Sequence, residues 1–168
     1  MNIRIAGTVN DSIVDGPGYR YTIFTQGCPH HCPGCHNPQS HDFEGGRVTD
    51  TDTILRQVRE NPLLDGITLS GGEPFCQPEA CRALAEAAHD LGMSVWCYTG
   101  YTLEALLKEQ NPDRMRLLAL VDVLVDGPYI AHERSLDLLY CGSRNQRLID
   151  MPATLFAGEV RLYVPQAW

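Results

Sequence analysis

Short runs of β-branched and aromatic residues alternate along the chain with stretches whose apolar residues recur at helical spacing. Residues 19–26, Tyr-Arg-Tyr-Thr-Ile-Phe-Thr-Gln, are typical of a strand, because such side chains pack well on a pleated sheet. Similar runs, most of them bounded by glycine or polar turn residues, predict further strands at residues 66–70, 94–98, 121–125 and 159–164.

Helices are predicted between several of these strands, because residues suited to a helix start precede sets of apolar residues. Thr49 or Asp50 can cap the first of them. Pro78 suits the first turn of the second, and Thr102 can cap the third. Their apolar positions are Ile54, Leu55 and Val58, then Cys81, Leu84, Ala88 and Leu91, then Leu103, Leu106 and Leu107.

Strands separated by helix-length connections predict an α/β fold with a mainly parallel sheet. The chain has 168 residues, which suits one domain and falls short of the roughly 250 residues of a complete eight-stranded α/β barrel. We therefore expect residues 1–168 to form a single domain. Its ligand site should lie at the carboxyl ends of the parallel strands.

Segments rich in glycine, proline or polar residues directly follow four of the predicted strands. Because the carboxyl ends of parallel strands meet at one edge of a sheet, these segments are expected to share one rim and one site. They are a cysteine loop at residues 28–41, Gly-Gly-Glu-Pro at 71–74, Thr-Gly-Tyr at 99–101 and Asp-Gly-Pro at 126–128.

The cysteine loop contains Cys28, Cys32 and Cys35 in the spacing Cys-x3-Cys-x2-Cys, together with four histidines. Two kinds of metal group suit this pattern. A structural zinc ion needs four ligands, so one of the loop's histidines would complete the set. A 4Fe–4S cluster would place three irons on the thiolates and leave the fourth iron open to a substrate. The spacing alone allows both.

The cysteine loop also resembles the signature of the radical S-adenosylmethionine (SAM) superfamily, and Ser-Gly-Gly-Glu-Pro at residues 70–74 resembles its Gly-Gly-Glu segment. Within that superfamily the chain is similar to the glycyl-radical-enzyme activators that serve anaerobic ribonucleoside-triphosphate reductases. Gly34 fits this branch, whereas the wider superfamily often has an aromatic residue before the third cysteine. The matching segments are residues 15–18, 27–37, 98–101, 123–128 and 142–146.

The resemblance implies an incomplete α/β barrel of the radical SAM type and a 4Fe–4S cluster whose open iron binds SAM. The Gly-Gly-Glu segment would receive the methionine amino group through its backbone and its carboxylate. The backbone around the third cysteine would border the adenine. The residues implied are Cys28, Cys32 and Cys35 for the cluster and catalysis, and Gly34, Cys35, His36, Gly71, Gly72 and Glu73 for SAM.

The activity implied by the resemblance is oxidoreductase chemistry on another protein. A flavodoxin-type donor would reduce the cluster, and SAM cleavage would give a 5′-deoxyadenosyl radical. That radical would take a hydrogen atom from a glycine of the large catalytic subunit of the anaerobic ribonucleotide reductase. The alternatives are an activator of the formate-lyase type, a radical SAM enzyme acting on a small molecule, and a non-enzymatic iron–sulfur or zinc protein.

Charge and composition exclude several other classes of function. The 13 basic and 21 acidic residues give a net charge of −8, which argues against nucleic-acid binding. No apolar stretch approaches the ~20 residues of a membrane-spanning helix, and the N-terminus lacks the apolar core of a signal peptide, so we expect a cytoplasmic protein that binds no membrane. The remaining cysteines, expected to be buried thiols, are Cys76, Cys81, Cys97 and Cys141.

Overall fold

The computed structural model of the protein describes residues 1–166. Within them, strands and helices alternate along most of the chain, as an α/β fold requires. The strands are β1 (Asn2–Ser12), β2 (Arg20–Thr25), β3 (Arg47–Asp50), β4 (Gly66–Gly71), β5 (Ser94–Tyr98), β6 (Val123–Asp126) and β7 (Arg147–Asp150). The α-helices are α1 (Thr51–Glu60), α2 (Pro78–Asp90), α3 (Leu103–Glu109), α4 (Pro112–Leu118) and α5 (Met151–Ala157).

All of these strands belong to one sheet, in the order β3-β1-β2-β4-β5-β6-β7. The central strands β2, β4, β5 and β6 run parallel to one another. Strands β1, β3 and β7 join the sheet through antiparallel pairings. The α/β class is therefore confirmed, while the mainly parallel arrangement holds for the central strands only. Within residues 1–166 the end strands β3 and β7 do not pair with each other, so the sheet is open.

The strand predicted at residues 159–164 is wrong. After α5 the chain reverses at Gly158, which has a φ of 74°, and passes β7 with one isolated bridge between Leu162 and Ile149. The alternating apolar pattern suggested a half-buried strand, but Leu162 is 61% exposed and Val164 is 78% exposed, so residues 1–166 do not bury these two side chains. The sequence interpretation also missed β1, β3, β7, α4 and α5.

Helices α1 and α3 begin after capping residues that the sequence predicted. Asp50 caps α1 by accepting a 2.8 Å hydrogen bond from the Asp52 amide, and Thr102 caps α3 by accepting one of 3.2 Å from the Ala105 amide. The apolar stripes of α1 to α3 bury against the sheet, with two exceptions. Leu91 lies beyond the last turn of α2 and Leu107 faces outward, and both are exposed.

The register of the parallel strands aligns the loops that follow them. Thr25 at the end of β2 is level with Gly71 at the end of β4, and Tyr98 at the end of β5 is level with Val125 in β6. The loops that leave these strands therefore start side by side. Among the residues described, no helix has both the length and the apolar character needed to cross a lipid bilayer.

Candidate cluster and cofactor site

One cavity of about 750 Å³ opens at the carboxyl ends of the parallel strands. Its size falls within the range of pockets that hold a small molecule. The four loops predicted to share a rim all contribute to its walls, so the chain does bring them together. Their lining residues include Cys28, Cys32, Cys35, His36, Gly71, Gly72, Thr99, Gly100 and Gly127.

The cysteine loop is closed at its base by backbone hydrogen bonds. The Gly27 amide donates to the Ser40 carbonyl at 2.7 Å, and the Cys28 amide donates to the His41 carbonyl at 3.1 Å. These bonds hold the two ends of residues 28–41 together, and the segment between them carries all three thiols. Cys28 is buried, and burial raises the pKa of its thiol, so this thiol releases a proton when it becomes a metal ligand.

The third cysteine sits in a tight turn that requires glycine before it. Gly34 has a φ of 74°, in the left-handed region that side chains disfavour, and the Cys35 amide donates to the Cys32 carbonyl at 3.1 Å. His36 follows, with its ring centroid 4.8 Å from that of Tyr129, and both rings line the cavity. Cys35 and His36 therefore border the cavity, while Gly34 shapes the turn and is not among the lining residues.

The glycine pair after β4 runs directly against the base of the cysteine loop. The Gly72 amide donates to the Thr25 carbonyl, and the Glu73 amide donates to the Gly27 carbonyl, both at 2.8 Å. A Cβ built on Gly72 would collide with the Gly27 carbonyl oxygen and would lie 2.9 Å from the Ser40 carbonyl oxygen. Position 72 is therefore glycine because two backbones meet there.

Glu73 lies behind the cavity wall and is fully buried. Its Oε1 accepts hydrogen bonds from His30 Nε2 at 2.7 Å, the Gly100 amide at 2.8 Å and Thr99 Oγ1 at 2.8 Å. Its Oε2 accepts one from the Phe75 amide at 3.1 Å. The carboxylate implied for the methionine amino group is thus engaged by the protein, and it joins three of the rim loops to one another.

Asp126 at the end of β6 is also buried, and its partner Arg147 was missed from the sequence. Arg147 donates to the Asp126 carboxylate at 3.0 and 2.5 Å, and to Glu104 at 3.0 and 2.7 Å. These ion pairs raise the pKa of the Arg147 guanidinium. Asp126 additionally accepts from the Leu103 amide at 2.8 Å. The carboxylate therefore anchors the rim to α3 and β7.

We expect Arg147→Ala to lower the free energy of unfolding by about 3 kcal/mol, because it leaves a buried carboxylate without its charged partner. Urea unfolding under anaerobic conditions measures this loss. The matched control is Arg116→Ala, which removes an exposed pair with Asp113 and should cost less than about 1 kcal/mol. Equal losses in the two variants would contradict the anchoring role of Arg147.

Comparison with known proteins identifies the family. A family model described as a 4Fe-4S single cluster domain matches residues 14–149. The anaerobic ribonucleoside-triphosphate reductase-activating protein of Escherichia coli strain K12 is 33% identical over 142 residues, covering 80% of this chain and 90% of the relative. Proteins of the same name from Haemophilus influenzae and phage T4 are 34% and 31% identical, and cover 80% of this chain and 89% and 86% of their own lengths.

This chain belongs to the family of anaerobic ribonucleoside-triphosphate reductase-activating proteins.

The family assignment made from the cysteine and glycine motifs is thereby confirmed, and the 4Fe–4S alternative is supported over the zinc alternative. Among solved structures, QueE from Escherichia coli is similar with a TM-score of 0.48 and 17% identity, covering 61% of this chain and 54% of that chain. The likeness to QueE thus extends over part of each chain.

Residues 142–146 of this activating protein hold the turn after β6 in place. Gln146 Nε2 donates to the Gly127 carbonyl at 3.1 Å, and its Oε1 accepts from the Gly142 amide at 2.8 Å. Asn145 Nδ2 donates to the Pro128 carbonyl at 2.7 Å. The side chains of Asn145 and Gln146 therefore fix the backbone of the turn after β6, which lines the cavity. The position of the motif in the sequence did not reveal this role.

The other four cysteines of this family member are free thiols. Cys81 and Cys97 are fully buried in the core, as predicted, and burial raises the pKa of both. Cys76 and Cys141 are half-buried, and burial raises the pKa of each to about 11. All four are therefore protonated at neutral pH and are poor nucleophiles.

The cavity carries the donor atoms that an iron–sulfur cluster requires. The three thiols of the cysteine loop line one part of the wall, and the backbone of Gly71 and Gly72 lines another. In residues 1–166, no three His, Cys, Asp or Glu side chains converge on a point that suits a single metal ion. Soft thiolates are the ligands that iron–sulfur clusters take. The three thiols are therefore suitable ligands for the 4Fe–4S cluster that the family model's description names.

Proposed function

We propose that this protein installs a glycyl radical on the catalytic subunit of an anaerobic ribonucleoside-triphosphate reductase, using a 4Fe–4S cluster and SAM. The observation that carries the proposal is the cavity in which the cysteine loop meets the glycine pair, at the ends of parallel strands. The relatives of this chain are activating proteins of the anaerobic ribonucleoside-triphosphate reductase, which supplies the partner in this proposal. The protein is accordingly an oxidoreductase of the radical SAM activating type.

The chain's residues divide into ligands and backbone cradles. The three thiolates of the cysteine loop would hold three irons of the cluster, and the remaining iron would be available to SAM. Backbone groups of the glycine pair and of the turn before His36 would bind the methionine and adenine ends of SAM, since Gly71, Gly72, Cys35 and His36 line the cavity. The proposed ligands are Cys28, Cys32 and Cys35, and the proposed SAM contacts that line the cavity are Cys35, His36, Gly71 and Gly72. Gly34, whose φ of 74° shapes the turn before Cys35, is proposed as a further contact.

When bound, the reduced cluster and SAM supply a 5′-deoxyadenosyl radical that takes a hydrogen atom from a glycine of the partner. The protein's own role is to bind and orient the cluster and SAM and to exclude side reactions. The cysteine loop and the glycine pair are hydrogen-bonded to each other, so the two ends of the site are held at a fixed spacing before either ligand arrives. Such preorganisation lowers the cost of reaching a reactive geometry.

The electrostatics of the chain favour a low cluster potential. Three thiolates and a net charge of −8 stabilise the oxidised cluster relative to the reduced one, which carries one more negative charge. Cluster potentials respond to net charge over a range of about −700 to +450 mV. A strongly reducing cluster is what one-electron reduction of a sulfonium requires. We propose a flavodoxin-type donor for this electron, as the resemblance implies.

We propose further that residues 1–168 form a single radical SAM domain, with β2, β4, β5 and β6 as part of an incomplete barrel wall. The antiparallel strands β1 and β7 flank these four on either side, and the sheet stays open within the described residues. An open sheet leaves room for a segment of another protein to reach the cavity. Within residues 1–166 no cysteine is paired in a disulfide, which suits the cytoplasm, where we place the protein.

The test is electron paramagnetic resonance on the two proteins together. The reduced activating protein with SAM should produce a glycyl-radical doublet on the reductase catalytic subunit, with a yield that depends on SAM. Replacing the partner's radical-site glycine with alanine should abolish the doublet while SAM cleavage continues.

Two outcomes would contradict this function. A doublet on a formate-lyase-type partner but never on the reductase would assign the chain to that other class of activator. SAM consumption that requires a small molecule, without a protein radical on either partner, would reject the activator role entirely.

A further inference from the structure

His30 differs from the other histidines of the cysteine loop because its ring leaves the loop and reaches a buried carboxylate. Its Nε2 lies 2.7 Å from Glu73 Oε1, and the two side chains are 17% and 0% exposed. By contrast, the rings of His31 and His41 pack edge to face on each other within the loop, with centroids 5.5 Å apart. His30 thus connects the cysteine loop to the rest of the rim through a side chain.

The hydrogen-bond partners of Glu73 fix the direction of this contact. Its oxygens already accept from two backbone amides, of Gly100 and Phe75, and from the hydroxyl of Thr99. The Thr99 hydroxyl donates here, because an ionised carboxylate offers only acceptors, and the hydroxyl oxygen also accepts from the Tyr101 amide at 3.1 Å. A carboxylate surrounded by donors acts as the acceptor, so His30 Nε2 carries the proton and donates it.

The ring of His30 is also held by packing on both sides of this bond. A Cβ on Gly100 would collide with the imidazole, with Nε2 only 2.7 Å away, so the ring occupies the space that a side chain at Gly100 would need. Its other contact is an edge-to-face stack on Tyr101, with centroids 4.5 Å apart. Arg114 in turn covers the Tyr101 ring, 5.0 Å from its centroid. The orientation of the imidazole is therefore determined by the loop after β5.

We propose that His30 is a positioning residue that acts through Glu73, and that it sets the spacing between the cysteine loop and the loops after β4 and β5. The inference rests on the proposed function, because that spacing separates the cluster from the bound SAM. In this arrangement Glu73 serves the site by holding three loops together, and the methionine amino group is left to backbone groups of the glycine pair.

The cysteine loop does not need His30 in order to form. Its base is closed by the backbone bonds of Gly27 to Ser40 and of Cys28 to His41. The His30 group that hydrogen-bonds to the Cys28 thiol is the backbone amide, which any residue at this position keeps, while the imidazole bonds to Glu73. Removing the imidazole should therefore spare cluster assembly and weaken the fit of SAM against the cluster. This separation distinguishes a positioning role from a merely structural one.

The experiment compares His30→Ala, His30→Gln and the exposed control His132→Ala in the full-length, anaerobically reconstituted protein. Iron and sulfide content, the dissociation constant for SAM, and the electron paramagnetic resonance signal of the reduced cluster with and without SAM are measured. His30→Ala should keep its iron, weaken SAM binding by about tenfold to hundredfold, as expected for losing a hydrogen bond to a charged group, and show a smaller SAM-induced change in the signal. His30→Gln, whose amide can donate to Glu73, should recover most of the affinity.

Wild-type affinity and signal in His30→Ala would overturn the proposal, as would complete loss of iron from that variant. A His30→Gln variant as weak as His30→Ala would reject the hydrogen bond to Glu73 as the route. Failure of the proposed function is recognised separately, because the wild-type protein would then show no change in its cluster signal when SAM is added.

Discussion

Serine at Cys28, Cys32 or Cys35 should remove the iron–sulfur absorbance and all SAM cleavage. A cluster that is held by three protein thiolates has no spare ligand, and a serine hydroxyl is a harder, weaker donor for iron than a thiolate. The loss should be nearly complete for each of the three positions. Iron and sulfide analysis after anaerobic reconstitution, together with the visible absorption spectrum, measures it.

The matched controls are Cys76→Ser and Cys141→Ser, because both thiols are half-buried and near the site, yet neither belongs to the cysteine loop. Cys141 lines the cavity itself, so this variant tests whether mere proximity to the cluster matters. Both should retain their full iron content. A variant of Cys76 or Cys141 that lost its iron, while one of the loop cysteines could be replaced freely, would show that the ligands have been assigned wrongly.

Much of the candidate site could be predicted from the sequence because its parts are local. A cysteine spacing, a glycine pair and a cap such as Asp50 or Thr102 depend on a few neighbouring residues, and the position of each loop after a strand follows from the alternating pattern. Because parallel strands present their carboxyl ends at one edge of a sheet, the proximity of these loops could then be predicted. No long-range contact had to be guessed for this step.

The contacts that hold the rim together could not be predicted, because they join residues far apart in the chain. Glu73 meets His30 and Gly100 across 43 and 27 positions, and Arg147 meets Asp126 across 21. Nothing in the local pattern distinguishes Glu73 from a carboxylate that faces a ligand. Only the folded chain shows that its oxygens are already occupied.

The antiparallel strands were missed for a related reason. β1 contains Gly7 and ends in polar residues, and its two bulged pairings with β2 interrupt the alternation that marks a strand. β3 and β7 have only four residues each and lie at the edges of the sheet. Short edge strands bury little, so their sequences carry a weak hydrophobic pattern.

Valine at Gly72 should destroy the site as a whole, and not only its affinity for SAM. A glycine beside a ligand would normally be explained by the close approach of that ligand, and valine would then leave the cluster in place. The structure shows instead that the first atom of any side chain would strike the Gly27 carbonyl, with the Ser40 carbonyl 2.9 Å away. Both groups are backbone, and both belong to the base of the cysteine loop, so neither can rotate aside.

We therefore expect Gly72→Val to lose most of its iron as well as its SAM binding, and to unfold at a lower urea concentration than the wild type. Gly7→Val is the matched control, since a Cβ at Gly7 meets nothing within 4 Å and β-branched residues suit a strand. This control should keep its cluster and its stability to within about 1 kcal/mol. If Gly72→Val retained a full cluster and lost only SAM affinity, the two backbones would have to be further apart than they are here, and ligand approach would be the reason for glycine at this position.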